Sequence, residues 1–350
     1  MGAHARPGTG RTGRTALSRQ NRSAGSSYDE SDVRIRPGGR SRPRTKTRPL
    51  HSDAEQAMVV AVDRGRWGCV LAGDPERRLV AMRARELGRT PIVVGDLVDV
   101  VGDLSGAPDT LARIVRVTER STVLRRTADD TDPFERIVVA NAEQLFIVVA
   151  LADPPPRTGF VERTMVAAFV GGLQPVLCLT KDDLAAESDF ATDFADLDLI
   201  IVHGGIEDPL QPVLDRITGR LTAFIGHSGV GKSTLVNRLV PDAFRAVGEV
   251  SGVGKGKHTS TQSVALPVPS GGWVIDTPGV RSFGLAHITP DDVIAAFSDL
   301  ADAIEDCPRG CTHLGPPADP ECALDELPGK ERRVAAIRRL LVALNSNDPW

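Results

Sequence analysis

Between about Ala57 and Val117, hydrophobic residues fall into short runs that are separated by Gly, Asp and Pro. Five such runs within about 60 residues predict five short strands and a small β-barrel, for which we expect an OB-fold. The runs are Met58–Val62, Trp67–Ala72, Leu79–Met82, Ile92–Val101 and Leu111–Val117.

The hydrophobic pattern changes from Gln144 onward, where unbroken apolar runs alternate with segments of helical period such as Val161–Phe169 and Ser233–Val240. Continuous apolar strands alternating with helices are typical of a parallel sheet that is covered on both faces. The predicted strands are Leu145–Ala150, Val176–Leu179, Leu199–Val202, Leu221–Ile225 and Val274–Ile275.

From Thr289 onward the pattern is helical, apart from a loop rich in Cys. The segment Arg332–Leu344 places Val334, Ile337, Leu341 and Leu344 on one face and its arginines elsewhere. The chain is therefore expected to be multidomain: an arm over residues 1–54, a barrel over 55–120, an α/β domain over 121–287 and a helical domain over 288–350.

The composition is that of a globular protein, with 41% hydrophobic and 25% charged residues. No apolar run approaches the roughly 20 residues that a membrane helix needs, and the N-terminus lacks the apolar core of a secretion signal. We therefore expect a cytoplasmic protein, a monomer, without membrane contact.

The net charge of −4 is distributed unevenly, because residues 1–50 carry 12 Lys or Arg against three acids. This segment is rich in Gly, Ser, Thr and Pro, which predicts a disordered basic arm. Contact with nucleic-acid phosphates is one interpretation. A solubilising tail or a misassigned start codon is the alternative.

The barrel also has two interpretations, RNA binding or a scaffold whose charges are solvated. RNA binding is considered because five arginines lie near its turns: Arg64, Arg66, Arg83, Arg85 and Arg89.

The strand Leu221–Ile225 is followed by a Gly-rich loop and then by an apolar helix. This order is the context that a phosphate-binding loop requires. Its glycines let backbone N–H groups surround phosphates, Lys232 can bridge the β- and γ-phosphates, and the Ser233 hydroxyl can ligate Mg²⁺. The predicted nucleotide-binding residues here are Gly226, His227, Ser228, Gly229, Val230, Gly231, Lys232, Ser233 and Thr234.

The sequence Asp276-Thr277-Pro278-Gly279 follows this loop at the end of another strand. A carboxylate at that position can hold Mg²⁺ through water, and the Gly279 N–H can contact a γ-phosphate. An ordinary Asp-Thr-Pro-Gly turn is the alternative, which the position at a strand end disfavours.

The choice of base depends on Thr180, Lys181, Asp182 and Asp183, which follow a predicted strand. The Asp183 carboxylate can accept hydrogen bonds from guanine N1–H and from its exocyclic amine, whereas adenine offers no such pair. The Lys181 stem can lie over the base. Guanine-reading motifs usually begin with Asn, where this chain has Thr180. The alternative is that Asp182 or Asp183 caps a helix beginning at Leu184.

The order of these motifs is unusual. The guanine-reading motif comes last in ordinary GTPases, but here it precedes the phosphate loop. The parts of a GTP switch are therefore predicted to be present in circularly permuted order.

Three of the five cysteines cluster near the C-terminus, in the pattern Cys307-x3-Cys311-x-His313-x8-Cys322. Three thiolates and one imidazole make a closed tetrahedral Zn²⁺ site, and we expect one zinc per chain. Three free buried thiols are the alternative. Cys69 and Cys178 stand singly in apolar runs and are predicted to be core residues.

On these motifs the chain resembles the RsgA (YjeQ) family of circularly permuted GTPases. The resemblance covers residues 55–345 and extends to Ala140–Gln144 and Gly256–Thr261. It implies an OB-fold, a permuted GTPase domain and a zinc domain. It also implies GTP hydrolysis to GDP, stimulated by the small ribosomal subunit, binding to that subunit and its rRNA, and a role in late maturation of the subunit. The family more often has four residues between the first two cysteines and a shorter gap before the last.

The residues predicted for hydrolysis are His258, Thr259, Thr261, Asp276 and Gly279. Ras-type switches place a water-orienting Gln where this chain has Val280, so intrinsic hydrolysis should be slow. His258 is the candidate to orient water instead, although it can equally be a solvated loop residue. Either Thr259 or Thr261 should meet Mg²⁺. Gly248–Gly256 contains four glycines and is expected to become ordered when a partner binds.

Two other functions use the same motifs. One is an ATPase or kinase with this phosphate loop. The other is an RNA-binding assembly chaperone that uses nucleotide only as a structural ligand. Asp276, together with Thr259 or Thr261, argues against the chaperone because these residues predict a hydrolytic metal site.

Overall fold

The computed structural model describes residues 51–132, 134–184, 189–197, 199–241, 263–279 and 283–345. The basic arm, the Gly-rich segment, His258, Thr259, Thr261 and Val280 lie outside these residues.

The first five strands form the predicted barrel. They are β1 Glu55–Asp63, β2 Arg66–Leu71, β3 Asp74–Arg83, β4 Leu97–Gly102 and β5 Ala112–Val117. Their order is β1-β2-β3-β5-β4, and pairing of β1 with β4 closes the barrel. The core includes Ala57, Val59, Cys69, Val98 and Ile114, so the prediction that Cys69 is a core residue is confirmed.

The fourth strand begins five residues later than Ile92, where the hydrophobic pattern predicts its start. Gly95 interrupts the run with a φ of 91°, and a Cβ there would lie 2.0 Å from the Ala140 carbonyl oxygen. Asp96 follows and is fully buried. Its carboxylate accepts hydrogen bonds from Arg120 at 2.6 and 2.9 Å and from the Val93 N–H at 2.8 Å. A buried ion pair therefore occupies the start of the expected strand.

Between the barrel and the large sheet lies a hairpin of β6 Val123–Arg126 and β7 Arg136–Ala140. The hydrophobic pattern does not predict it, because its strands are short and carry arginines. Thr127, directly after β6, forms a single antiparallel bridge with Gly284. The hairpin thus contacts the segment that follows the Asp-Thr-Pro-Gly sequence.

The α/β region contains β8 Gln144–Ala150, β9 Gln174–Thr180, β10 Ile200–His203, β11 Leu221–Gly226, β12 Val264–Pro267 and β13 Trp273–Asp276. Its order is β10-β9-β8-β11-β13-β12. All neighbours are parallel except β12, which pairs antiparallel with β13. A bridge between Val264 and Ala61 of β1 continues the sheet into the barrel.

Helices cover both faces of this sheet, as predicted. They include α1 Thr158–Val170, α2 Gln211–Ile217 and α3 Lys232–Leu239. Side chains of β8 alternate between the two cores: Leu145 and Ile147 belong to one, Phe146 and Val148 to the other. Cys178 is fully buried, and burial raises the pKa of its thiol to about 12, so its predicted place in the core is confirmed.

The C-terminal region is helical, with α4 Pro290–Ala295, α5 Ser298–Ala301 and α6 Glu331–Asn345. Short 3₁₀ turns cover 85–87, 182–184, 189–197, 302–306 and 323–326. The predicted apolar face of α6 is buried at Val334, Ile337, Leu341 and Leu344. Within the described ranges, no helix is both long and apolar enough to cross a membrane. The domain boundaries stay a prediction; residues 120 and 287 fall between β5 and β6 and between β13 and α4.

Candidate nucleotide site and metal centre

The three nucleotide motifs meet at one edge of the sheet. Thr180 ends β9, Gly226 ends β11 and Asp276 ends β13. These strands are parallel and β8 lies between β9 and β11, so their carboxyl ends lie side by side. Ligands of open α/β sheets bind at this edge.

The phosphate loop runs from β11 into α3, as predicted. Gly229 and Gly231 have φ values of 86° and 90°, which side chains rarely adopt. A Cβ on Gly226 would lie 2.7 Å from the Val148 carbonyl oxygen. Val230 is buried beneath the loop, whereas four polar or small residues are exposed: Ser228, Gly229, Ser233 and Thr234. The loop therefore packs against the sheet on its buried side, and its exposed residues are accessible to solvent. The His227 ring lies 4.2 Å from that of Phe160 of α1.

Lys232, the first residue of α3, lies between the phosphate loop and the Asp-Thr-Pro-Gly sequence. Its side chain is only 7% exposed, and its ammonium contacts the Asp276 carboxylate. It also donates a hydrogen bond to the Thr277 carbonyl at 2.5 Å. The buried Thr277 hydroxyl in turn donates to the Phe224 carbonyl at 2.7 Å. A buried ammonium is therefore held by two acceptors of the motif that follows.

Gly279 also approaches the phosphate loop. A Cβ on Gly279 would lie 3.5 Å from the Ser228 nitrogen and 3.8 Å from the Ser228 Cβ. The backbone of the Asp-Thr-Pro-Gly sequence therefore lies directly beside the loop. The arrangement brings Asp276 and Gly279 together with Lys232, as the motifs predict.

Thr180 connects the base-reading motif to the phosphate loop. It is 2% exposed, and its hydroxyl donates to the Val230 carbonyl at 2.6 Å. The Val149 carbonyl lies 3.3 Å from the same hydroxyl. Thr180 thus contacts the loop through its single hydroxyl, at the position where guanine-reading motifs usually have Asn.

The remaining base-reading residues lie at the surface of this edge. Lys181 has a φ of 58°, and its ammonium contacts the Asp153 carbonyl. Asp182 and Asp183 belong to the 3₁₀ turn at 182–184. Residues 185–188, on which the capping alternative depends, lie outside the described ranges. Asp183 is exposed. Its carboxylate is thus accessible to a ligand at the end of β9.

A second loop beside this motif was not predicted from the sequence. It follows β10, and the Asp182 carboxylate lies 3.2 Å from His203 Nδ1. Arg238 of α3 contacts the Gly205 carbonyl and donates to the Asp208 carbonyl at 2.7 Å. The helix that begins at the phosphate loop thereby positions the loop next to the base-reading motif. The sequence gives no local signal for this loop, because Arg238, which contacts it, lies 30 to 33 residues further along the chain.

The four predicted metal ligands are brought together. One ligand atom from each of Cys307, Cys311, His313 and Cys322 lies within 4.8 Å of the others. His313 Nδ1 is 3.5 Å from Cys307 Sγ and 4.0 Å from Cys322 Sγ. Tetrahedral Zn²⁺ with ordinary bond lengths separates such atoms by about 3.6 Å, so the donor set and its spacing suit zinc. Burial raises the pKa of Cys307, and that of Cys311 to about 12.

The eight-residue gap before Cys322 is organised by Asp319. Its carboxylate accepts hydrogen bonds from the Thr312 N–H, the Thr312 hydroxyl and the Leu314 N–H at 3.0, 2.6 and 3.0 Å. These hydrogen bonds lower the pKa of Asp319, and the one from the Thr312 hydroxyl has the largest effect. The longer gap therefore forms a loop that holds the backbone on both sides of His313.

The family described as RsgA GTPase matches residues 117–286. A small ribosomal subunit biogenesis GTPase RsgA from Chlorobaculum parvum is 34% identical over 248 residues, which cover 68% of this chain and 79% of that protein. The protein of the same name from Pseudomonas aeruginosa is 36% identical over 228 residues, covering 60% and 65% of the two chains.

Two solved structures share the fold. YjeQ from Thermotoga maritima has a TM-score of 0.60 at 24% identity, covering 83% of this chain and 98% of that one. YloQ, described as a circularly permuted GTPase, has a TM-score of 0.58 at 21% identity, covering 86% and 98%. The predicted fold class, with its barrel and permuted α/β region, is confirmed.

Proposed function

The chain belongs to the RsgA GTPase family, and we propose that it hydrolyses GTP on the small ribosomal subunit during late maturation of that subunit. The names of the relatives, small ribosomal subunit biogenesis GTPase, support the partner. The observation that carries the proposal is the position of Lys232. Its ammonium links the phosphate loop to Asp276 at the ligand-binding edge of the sheet.

The described residues divide the binding of GTP between them. Backbone N–H groups of Gly226–Ser233 surround the phosphates, and Lys232 exchanges part of its contact with Asp276 for phosphate oxygens. Mg²⁺ would be held by Ser233 and, through water, by Asp276, and would neutralise charge on the phosphates. The Gly279 N–H contacts the γ-phosphate. The exposed Asp183 accepts from guanine, and Lys181 lies over the base.

Hydrolysis requires residues outside the described ranges. We assign water orientation to His258, and contact with Mg²⁺ to Thr259 or Thr261. Both assignments rest on the sequence and on the resemblance to the family. Because Val280 cannot orient water, the isolated protein should turn over slowly, and the small subunit should act mainly on the rate constant.

The metal centre is assigned one structural Zn²⁺ per chain, bound by Cys307, Cys311, His313 and Cys322. The interatomic spacing supports this assignment. A closed set of four protein ligands stabilises the fold and does not activate water. Its contribution is to hold the Cys-rich loop together, between the 3₁₀ turns at 302–306 and 323–326.

Binding of rRNA is assigned to the barrel and to the basic arm, residues 1–54, in a monomeric cytoplasmic protein. The arm's excess of arginine supports phosphate contact. Deleting residues 1–50 should weaken subunit binding and reduce its dependence on salt, because fewer counterions are released. An unchanged salt dependence would favour the inert-tail interpretation.

The deciding experiment measures nucleotide turnover with and without purified small subunits, using GTP and ATP in parallel. GTP turnover that rises with the subunit supports the proposal. Equal use of ATP would favour an ATPase, and subunit binding without turnover would favour the chaperone. His258→Ala should lose most of the stimulation while still binding GTP, and full stimulation in that variant would contradict the role of His258.

A further inference from the structure

The metal ligands are contacted by two charged side chains from different helices. We propose that Asp291 of α4 and Arg338 of α6 are positioning residues of the metal centre, which determine how tightly it holds its ion. The proposal rests on the assignment of Zn²⁺ to the four ligands. It concerns residues that lie outside the Cys/His pattern and that no spacing rule identifies.

Asp291 fixes the orientation and tautomer of His313. Asp291 Oδ1 lies 2.9 Å from His313 Nε2, while His313 Nδ1 faces Cys307 and Cys322. With the Nε2 proton donated to the carboxylate, the Nδ1 lone pair points at the sulfur atoms. A metal-bound imidazole ordinarily donates its second ring N–H in this way. The His313 side chain is 3% exposed and that of Asp291 73% exposed, so the carboxylate reaches the centre from its solvent side.

Arg338 contacts the centre through the His313 backbone. Its Nε donates to the His313 carbonyl at 3.0 Å, which holds the backbone of a residue with a φ of 60°. Its Nη1 and Nη2 bond to Asp325 at 2.7 and 2.9 Å. The hydrogen bonds to Asp325 raise the pKa of the guanidinium, against a lowering by burial. Arg338 therefore connects the His313 backbone to the turn after Cys322.

Arg338 packs closely against the loop that follows His313. A Cβ on Gly315 would lie 2.5 Å from Arg338 Cζ, so the loop after His313 approaches the guanidinium plane directly. Three thiolates and one Zn²⁺ carry a net charge of −1. A guanidinium fixed at the His313 backbone compensates part of that charge, and lysine, a point charge without a planar fork, would do so less well.

The two residues also connect the centre to different parts of the chain. Asp291 lies in the first turn of α4, close after the segment that leaves the Asp-Thr-Pro-Gly sequence. Arg338 lies on α6, whose last carbonyls accept hydrogen bonds from Arg163 of α1. Metal retention should therefore depend on the docking of both helices.

The test is a zinc competition titration against a chromophoric chelator on the full-length protein. We expect Asp291→Ala to lower zinc affinity about 10- to 100-fold, and Asp291→Asn, whose amide oxygen can still accept, to recover part of the loss. Asp302→Ala removes an exposed carboxylate of the same region and should match the unsubstituted protein. Arg338→Met should weaken zinc more than Arg338→Lys, with Arg332→Met, an exposed arginine of α6, as its control.

A spectrum separates positioning from general destabilisation. In protein loaded with Co²⁺, Asp291→Ala should change the visible ligand-field bands, because the imidazole is no longer fixed, while GTP binding stays unchanged. If Asp291→Ala and Asp302→Ala had equal zinc affinity and identical Co²⁺ spectra, the positioning role would be overturned, while the assignment of Zn²⁺ to the four ligands would stand. An unsubstituted protein that binds no zinc would overturn the metal assignment and, with it, this proposal. GTPase activity does not enter either readout.

Discussion

Lys232 and Arg163 are both buried cations, but the groups that surround them differ. Lys232 is 7% exposed and contacts Asp276 and the Thr277 carbonyl. Arg163, on α1, is 2% exposed. It contacts the Asp130 carboxylate and donates to the carbonyls of Phe283, Ala343 and Leu344 at 3.2, 2.8 and 3.2 Å.

The difference lies in what surrounds each charge. Arg163 is enclosed by backbone carbonyls at the end of α6 and by the segment that follows the Asp-Thr-Pro-Gly sequence. Lys232 lies under an open loop with exposed Ser228, Gly229 and Ser233, and its carboxylate partner is 27% exposed. The two carboxylate partners are similarly exposed, 27% for Asp276 and 25% for Asp130. The difference therefore lies in the other acceptors, which are three backbone carbonyls around Arg163 and one around Lys232.

The largest effect on stability is expected from Arg163→Met. Three carbonyls and the Asp130 carboxylate would lose their donor, and removing one partner of a buried ion pair costs about 3–5 kcal/mol. Asp130 also accepts from the Leu285 N–H at 2.9 Å, so it would stay in place with its charge uncompensated. Urea unfolding measures the loss. Arg157→Met, an exposed arginine at the start of the same helix, is the control, and a loss below about 1 kcal/mol would remove the distinction.

Lys232→Met should show the reverse pattern. Each hydrogen bond to a charged group contributes about 1.5–3 kcal/mol, so GTP affinity should fall about 100-fold. The free energy of unfolding should fall less than in Arg163→Met, because Lys232 holds one backbone carbonyl besides its carboxylate, whereas Arg163 holds three. Nucleotide titration and urea unfolding of the same variant check both parts. Lys330→Met, which breaks an exposed pair with Asp299, is the control. Destabilisation as large as that of Arg163→Met would break the comparison.

These two cations also show what a sequence can predict. Lys232 belongs to a local motif, and the strand before it and the helix after it follow from hydrophobic period. The environment of Arg163 depends on carbonyls 120 and 180 residues away in sequence, so an arginine within an apolar helix gives no local signal. The β6–β7 hairpin, the turn at Gly95 and the contact of Asp291 with His313 also depend on distant partners. The sequence therefore predicts the ligand sets but not the residues that hold them.

Asp183→Asn tests the open edge of the sheet, where the expected effect is smaller. An amide cannot accept both hydrogen bonds from guanine, so GTP affinity should fall at least about tenfold and xanthosine triphosphate should gain affinity. Asp215→Asn, at an exposed position of α2 outside the motif, is the control and should leave base preference unchanged. Nucleotide competition measures both variants. Retained GTP affinity without gain for the xanthosine nucleotide would show that Asp183 does not read the base.

The smallest expected effect concerns Glu162 of α1, a partly buried carboxyl. In the described part of the chain, it has no counterpart of the open loop beside Lys232 or of the hydrogen-bonding groups that enclose Arg163. It lines a groove of about 530 Å³ between α1 and α6. Burial raises its pKa from 4.5 to about 7, against a lowering by Arg339 and together with a raising by Asp193.

The sign follows from proton binding. The folded protein keeps the Glu162 proton to higher pH than the unfolded chain does, so the free energy of unfolding should fall as pH rises from about 4.5 to about 7. Solvent screening of this partly exposed group limits the change to roughly 1 kcal/mol. Glu162→Gln should therefore be the more stable protein at pH 8 and should lose this part of the pH dependence, measured by urea unfolding at pH 5 and pH 8. Glu321→Gln, at an exposed position, should keep it. If Glu162→Gln retained the full pH dependence of the free energy of unfolding, burial of the Glu162 carboxyl would have no energetic cost. Its lack of hydrogen-bond donors would then not distinguish it from Lys232 and Arg163.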